Sequence, residues 1–263
     1  MNIQQITQNL KPGWIGKKNQ SPNRGINFKP EVLSTNTWAL QSLENGANRG
    51  DVFLSDFQTD GHGRLDRKWE SAKGKNILLS LVDKKPSPES NAPQITLIAG
   101  LGFLEGIQSL FPKYSLTLKW PNDILLQGKK IGGILIENHP TKPYLVIGVG
   151  LNVNMKTSEF SPAVQKIATT LSEGSGQQIE RESLIAACLN HYQKWRDLFD
   201  QKGSQPIIEA WKTHSTTLNR KVKINDGRET YEGVAVDLDV SGYLIVESKG
   251  QRQTVIAGDV LLL

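Results

Sequence analysis

The sequence predicts an α+β fold, a mixed β-sheet covered by helices with a small all-β unit at its C-terminal end. Three observations predict it. Short apolar runs bounded by turn residues recur at 52–57, 76–82, 116–120, 123–126, 131–137 and 144–153. Apolar residues at helical spacing occupy the stretches around 97–108 and 182–199. From Asn219 onward the helical period disappears and brief strands alternate with glycine turns. Few glycine-bounded βαβ units occur, so a mixed sheet is the economical arrangement.

Residues 1 to 30 are polar, and Pro12, Gly13, Pro22 and Gly25 break any helix there, so they read as an extension. Ser34, Thr35 and Asn36 then form a loop and N-cap ahead of Trp38, Ala39, Leu40 and Leu43, a short amphipathic helix that ends near Asn45-Gly46. The apolar runs 52–57 and 76–82 predict two strands flanking a glycine-rich, basic loop from Gly61 to Lys68. A connector with three prolines follows from Lys84 to Pro93. Leu97, Ile98, Leu101, Leu104, Ile107 and Gln108 predict a buried-face helix of about 17 residues.

Four strands come next, with Gln127-Gly128 as one of their turns. Leu184, Cys188, Tyr192, Trp195 and Phe199 then mark one face of a long helix, and Pro206 opens another that holds Trp211. These two helices are expected to cover one sheet face. Strands at 221–224, 231–238, 243–247 and 253–257 follow, separated by turns at Asn225-Asp226-Gly227, Val240-Ser241-Gly242 and Ser248-Lys249-Gly250. They predict a small terminal barrel. The chain thus divides into an extension, 1–30, a main unit, 31–218, and a C-terminal unit, 219–263.

Composition narrows the class of protein. Of 263 residues, 37% are hydrophobic, enough to bury a sizeable core. No apolar run approaches the roughly 20 residues that span a bilayer, and the first thirty residues carry no apolar signal segment, so a cytoplasmic protein with no membrane association is expected. The single cysteine, Cys188, excludes an internal disulfide and a cysteine-cluster metal site. A net charge of +5 and a pI near 9.2 suit an anionic ligand or partner, whether nucleotide, acidic protein or nucleic acid.

Four motifs carry the candidate chemistry. Gln58-Thr59-Asp60-Gly61-His62-Gly63-Arg64-Leu65-Asp66-Arg67-Lys68-Trp69 alternates glycines with cations, which lets backbone N–H groups approach an anion beside Arg64, Arg67 and Lys68. Its spacing fits neither a P-loop nor a dinucleotide fingerprint, and a solvated basic turn is the other reading. Lys119-Trp120-Pro121-Asn122-Asp123 puts a lysine at a strand end before a rigid turn, where it can act as a positioned cation or belong to a plain turn. Lys130-Ile131-Gly132-Gly133-Ile134-Leu135-Ile136-Glu137 and Ile147-Gly148-Val149-Gly150-Leu151-Asn152-Val153-Asn154 place glycine inside apolar strands. Interior glycine weakens a strand unless something must come close, either a ligand or a packed sheet.

Together these motifs, opened by Ser34-Thr35-Asn36 and in this order, resemble the catalytic domain of biotin protein ligases, in the short form without an N-terminal DNA-binding domain. The resemblance is specific over about residues 31 to 155. It implies the class II synthetase-like fold of biotin and lipoate ligases, with a C-terminal SH3-like barrel. The implied activity uses ATP to make biotinoyl-5'-AMP and passes biotin to a lysine of a biotin carboxyl carrier protein, that of acetyl-CoA carboxylase or a similar domain. ATP and biotin are the implied substrates, with Mg²⁺, and the chain is expected as a monomer or homodimer.

Carried over by residue, the resemblance puts Ser34, Thr35, Asn36 and Gln58 at the biotin head group, joined by His62, Gly63, Gly132 and Gly133. Arg64 and Lys119 become the catalytic pair, with Lys119 bridging the biotin carboxylate and the α-phosphate. Arg64, Arg67, Trp69, Lys119, Asn122 and Asn152 become nucleotide residues, and Asp123 a metal residue. Two positions depart from the family pattern: His62 stands where an arginine is common, and Asp66 where a glycine is common. Both lower the positive charge of the loop, and His62 reads as an ordinary exposed loop residue or as an acid-base group. Lipoate or octanoate attachment on the same fold is the alternative enzyme. A nucleic-acid regulator is the non-enzyme reading, disfavoured because only about 30 residues precede Glu31.

Overall fold

The structure is a computed structural model that describes residues 1–17, 25–87, 92–225, 227 and 229–263. Pro22, part of the proline connector, Asp226 of the first barrel turn and the side chain of Asp66 lie outside the described residues. The main sheet has seven strands: β1 (Ile26–Lys29), β2 (Val52–Ser55), β3 (Ile77–Lys84), β4 (Leu116–Lys119), β5 (Asp123–Leu126), β6 (Lys129–Asn138) and β7 (Tyr144–Leu151). Their spatial order is β1-β2-β3-β7-β6-β5-β4. β1 runs parallel to β2 and the other pairs are antiparallel, which makes the sheet mixed, as expected.

Residues 1–30 are a correction to the expected extension without helix. Helix α1 (Ile3–Asn9) ends before Pro12, so the predicted breakers stand outside it. Asn2 caps it through Gln5 N–H at 3.1 Å, and Ile6 is fully buried in the main core. β1 adds an edge strand to the sheet. Both elements are too short for a period to be legible, and only packing onto the rest of the chain stabilises them.

Helix α2 (Thr35–Glu44) covers one sheet face at β2, β3 and β7, with Ala39 and Leu43 packed against Phe53, Val82 and Val146. The opposite face carries α3 (Ala92–Leu110). Short helices α4 (Pro162–Gln165) and α5 (Leu171–Ser175) lead to α6 (Arg181–Lys202) and α7 (Gln205–His214). The expectation that α6 and α7 cover the sheet needs correction for α6, which packs chiefly on α3, itself lying on the strands; α7 packs on β4 as well as on α3. The sequence spacing marks a buried face for α6 without naming what buries it.

The α3–α6 contact is unusually close. A Cβ on Gly102 would lie 2.5 Å from Tyr192 Cα, and one on Gly106 would lie 2.5 Å from Cys188 Cα. Glycine four residues apart therefore lets helix backbone meet helix backbone. β3 is tied into the same layer by Asp83, fully buried, which accepts from Arg196 Nε at 2.8 Å, Arg49 Nε at 2.8 Å and Tyr192 Oη at 2.6 Å. Two guanidiniums and a phenol offset the cost of burying that carboxylate.

The second sheet contains β8 (Arg220–Asn225), β9 (Thr230–Leu238), β10 (Leu244–Ser248), β11 (Gln251–Val255) and β12 (Asp259–Leu262), all antiparallel, in the order β11-β10-β9-β8-β12. Its docking on the main unit has consequences for the site. Trp120, 3% exposed, donates its indole N–H to Gly242 O at 3.0 Å and its backbone N–H to Thr217 Oγ1 at 2.9 Å. The turn that follows β4 is thereby held from both sides.

Two outcomes follow from this packing. Alanine at an exposed helical glycine would favour the helix by roughly 1 kcal/mol, but at Gly106 the new methyl meets backbone that cannot yield, at the upper end of the roughly 1–3 kcal/mol cost of overpacking. Gly106→Ala should therefore lower the unfolding free energy measured by chemical denaturation, and an unchanged or higher value would show that the helices can separate at no cost. The second outcome concerns Glu105. Burial raises its pKa, but hydrogen bonds from His191 and Lys194 outweigh this and hold the carboxyl at about 2. A depressed carboxylate contributes stability above its unfolded pKa and loses it as pH falls through the folded one. Glu105→Gln should thus lower Tm near neutrality, with the difference shrinking from the ordinary carboxylate range, 4.5, down to about 2; a difference independent of pH would refute the linkage.

Candidate functional site

One cavity of ≈ 530 Å³ gathers the motifs. It lies between the α2 end of the main sheet, the loop 61–70, the segment 160–168 and β12 of the second sheet. Ser34, Thr35, Asn36, Gln58, His62, Gly63, Arg64, Arg67, Trp69, Lys119, Asn122, Asp123, Gly133 and Asn152 all line it. Gly132 is the exception among the expected site residues. A Cβ there would point at Leu151 and Ile124 in the core, 3.1 and 3.5 Å away, because neighbours in a strand face opposite sides of the sheet.

At one end the opening of α2 builds a polar patch. Ser34 occupies the N-cap position, yet its side chain makes no capping bond and lines the cavity instead. Gln58 Oε1 accepts from Thr35 N–H at 2.8 Å and Thr35 Oγ1 at 2.9 Å. Ser80 Oγ lies 2.8 Å from Thr35 Oγ1 and 2.6 Å from Asn36 Oδ1. Behind it, Asn36 Nδ2 donates to Glu137 Oε2 at 2.5 Å. Gly148 is required here, since a Cβ would overlap the Asn36 amide.

The loop 61–70 is a tight hairpin. His62 and Lys68 bridge across it, Trp69 N–H reaches Gly61 O at 2.8 Å, and Leu65 sits at φ 55° in the left-handed region, a cost of roughly 1–2 kcal/mol for a non-glycine residue. Gly63 N–H is spent on Arg67 O at 2.7 Å. The expected anion cradle of Gly63 amide is thus corrected; the cations are side chains. Arg64 Nη2 donates to Gly258 O at 3.2 Å, and Arg67 pairs with Asp259 of β12. Burial pulls the Arg64 guanidinium below the usual arginine range, against the opposing pull of Asp259 and Asp123. An anion at this spot would relieve that burial. His62 Nδ1 lies 3.2 Å from Asp60 O, its own loop.

Lys119 ends β4 at the cavity wall, and its ammonium has no hydrogen bond or ion pair among the described residues. Asn122 Nδ2 is committed to Ile134 O at 2.8 Å. Asp123, expected as a metal residue, has its carboxylate on Lys130 Nζ at 2.7 Å, and the described residues hold no group of three or more His, Cys, Asp or Glu that could bind a metal. The residues therefore do not fit a resident metal centre, and Asp123 would have to leave Lys130 to reach one.

Trp69 stands against Gly150 and Gly133 of the two central strands. A Cβ on Gly150 would lie 2.6 Å from Trp69 Cζ2. The interior glycines thus make room for Trp69 and Asn36. Trp69 Nε1 and Asn152 Oδ1 are both buried without a partner, a donor and an acceptor in one cavity. Buried orphans of this kind are rare and point to a ligand with complementary groups.

Several site residues escaped the sequence reading. Phe160, Val164, Ile167 and Ala168 form an apolar wall, and Glu70 fastens the loop to it through Ser161 N–H at 2.8 Å and Oγ at 2.6 Å. Ser161-Pro162 carried the available signal, an N-cap before a proline at the first helical turn. Lys130 stood in a quoted motif, but its pairing with Asp123 spans neighbouring strands. Nothing local marks Asp259.

The description biotin/lipoate A/B protein ligase family matches residues 30–154, and biotin protein ligase C terminal domain matches 217–263. A bifunctional ligase/repressor BirA of Bacillus spizizenii is 31% identical over 94% of this chain and 77% of its own length. The biotin--[acetyl-CoA-carboxylase] ligase of Mycobacterium tuberculosis is 31% identical over 90% of this chain and 89% of its own. Among solved structures, the biotin protein ligase from Aquifex aeolicus in complex with biotin and ATP superposes with a TM-score of 0.79, at 27% identity over 90% of this chain and 98% of that one. On this identity, along nearly the full length of a short ligase and with both domains matched in order, the chain belongs to the biotin protein ligases.

Proposed function

We propose that this chain activates biotin with ATP as biotinoyl-AMP and transfers the biotin to a lysine of a biotin carboxyl carrier protein, such as that of acetyl-CoA carboxylase. One observation carries the reading: residues from 34 to 152 converge on a single cavity with a polar patch at one end, Trp69, Asn152 and an apolar wall at the other, and cations between them. In this division of the cavity, Ser34, Thr35, Asn36 and Gln58 take the head group. Trp69, Asn152 and the wall at Phe160 take the nucleotide, and Arg64, Arg67 and Lys119 lie between.

The chemistry explains the cations. A carboxylate and a triphosphate repel by roughly 4 kcal/mol for two unit charges at 4 Å and an effective dielectric of 20. Lys119, with no carboxylate to satisfy it among the described residues, and Arg64 reduce that repulsion. A biotin carboxylate oxygen then attacks the α-phosphorus as the bond to pyrophosphate breaks. Mg²⁺ supplied with ATP would add charge neutralisation on the phosphates, since no group of carboxylates among the described residues is built to hold it. In the second step the carrier lysine, as a neutral amine, attacks the acyl carbon, AMP leaves with the bonding pair, and the amine loses its proton. There the protein orients the partners and excludes water. The loop 61–70 serves as the cover, closed against β12 through Arg64 and Arg67.

Incubation of the protein with Mg-ATP and, separately, biotin, lipoate or octanoate, with mass spectrometry of the bound small molecules, tests this function. Biotinoyl-AMP with biotin alone is the expected result; an adenylate with lipoate instead would replace the substrate. Lys119→Ala should slow pyrophosphate release by roughly 10²–10³-fold, and a rate like the parent's would make the lysine structural. Arg64→Gly should release the adenylate and biotinylate bystander lysines, seen by blotting a mixed protein pool with streptavidin; unchanged selectivity for the carrier would count against the cover.

A further inference from the structure

Glu137 is outside the cavity and has no assigned role in the proposed chemistry. It stands on β6 directly behind Asn36, whose Nδ2 it accepts at 2.5 Å, with Leu135 O at 3.4 Å as the second acceptor. An amide can turn over, exchanging oxygen and nitrogen at almost no steric cost, and only its hydrogen-bond partners select the orientation. An ionised carboxylate can only accept. Glu137 therefore fixes the Asn36 NH₂ toward β6 and the Asn36 oxygen toward Ser80.

That choice sets the character of the patch. Gln58 Oε1, Thr35 Oγ1, Ser80 Oγ and Asn36 Oδ1 form a row with contacts of 2.9, 2.8 and 2.6 Å. The row contains only two hydroxyl protons, those of Thr35 and Ser80. Four oxygens sharing these two protons and the Thr35 backbone N–H, which serves Gln58 Oε1, leave lone pairs unfilled, so the patch accepts hydrogen bonds. With the Asn36 amide reversed, its NH₂ would enter the row and fill those lone pairs. We propose that Glu137 is a positioning residue for biotin selection: by holding the Asn36 amide it keeps the patch an acceptor, matched to the two N–H donors of a cyclic urea.

This inference rests on the head-group assignment of the patch made above. It also supplies a reason for selectivity, because neither a dithiolane ring nor an alkyl chain brings N–H donors to the unfilled oxygens. A site with unpaired buried acceptors rejects such ligands strongly.

The test is a double-mutant cycle on the full-length protein, with biotin affinity measured by titration calorimetry without ATP. Glu137→Gln keeps the shape and removes the charge that selects the amide orientation. Charge-assisted bonds are about twice as strong as neutral ones, so biotin Kd should rise about tenfold. In an Asn36→Ala background the same change should alter Kd by less than about twofold, the coupling expected when one residue acts only through the other. In steady state, KM for biotin should rise with kcat at saturating biotin and KM for ATP unchanged, which a general loss of structure would not give. Ser80→Ala, made separately, should also couple to Asn36→Ala. If Glu137→Gln binds biotin like the parent, or loses affinity equally in both backgrounds, Glu137 does not position Asn36. If Asn36→Ala itself leaves biotin affinity unchanged, the head-group assignment falls first, and this inference with it.

Discussion

On one face of β7, Gly148 and Gly150 leave the sheet bare where Asn36 and Trp69 have to lie, and the cavity exists because of that bare strip. Alternate residues of a strand share a face, so two glycines spaced by two clear one continuous lane across the middle of the sheet. A methyl at the first would displace the amide that closes the polar patch; at the second it would displace the indole. A single strand thus sets the positions of both ends of the site, and their separation follows from the rise of the strand. The usual cost of glycine in a strand is offset because each vacated volume is filled by a side chain from elsewhere.

The walls around that lane are held by contacts between distant parts of the chain. Trp120 is fixed between Thr217 and Gly242, so the residue before it, Lys119, projects from a backbone that the second sheet restrains. The same sheet contributes Asp259 and Gly258 to the loop arginines. On this side the loop is held by one ion pair with an exposed guanidinium, worth little on its own, and by a bond to one carbonyl, while Glu70 ties its other end to Ser161. Weak, solvent-accessible contacts suit the covering role proposed for this loop. The core beneath is the opposite case, with α3 and α6 in backbone contact at Gly102 and Gly106 and Asp83 buried among its partners.

Much of this was legible without coordinates. The glycine-basic loop, Lys119 to Asp123 and the paired glycines in strands were readable because each carries residue types that a plain strand or turn avoids. The convergence of Ser34 with Asn152 was legible only through resemblance, since no local period relates residues so far apart. Illegible were α1 and β1, which are stable only against the rest of the chain, and the wall at Phe160, whose α-helix is four residues long. Gly132 and Gly133 looked equivalent in sequence, yet strand alternation turns one toward the core and the other toward the cavity. Gly63 offered an amide that the hairpin had already used.

The sequence by itself determined the fold class, the order of elements and the chemical kinds present at the site, because these depend on local period, turn residues and side-chain identity. Tertiary structure alone decided which partners meet: Asp123 with Lys130, Arg67 with Asp259, Asn36 with Glu137. Each of these pairings joins different strands, or a loop or helix to a strand. The free energy that selects them comes from packing the whole sheet and its cover, and no stretch of sequence contains that sum.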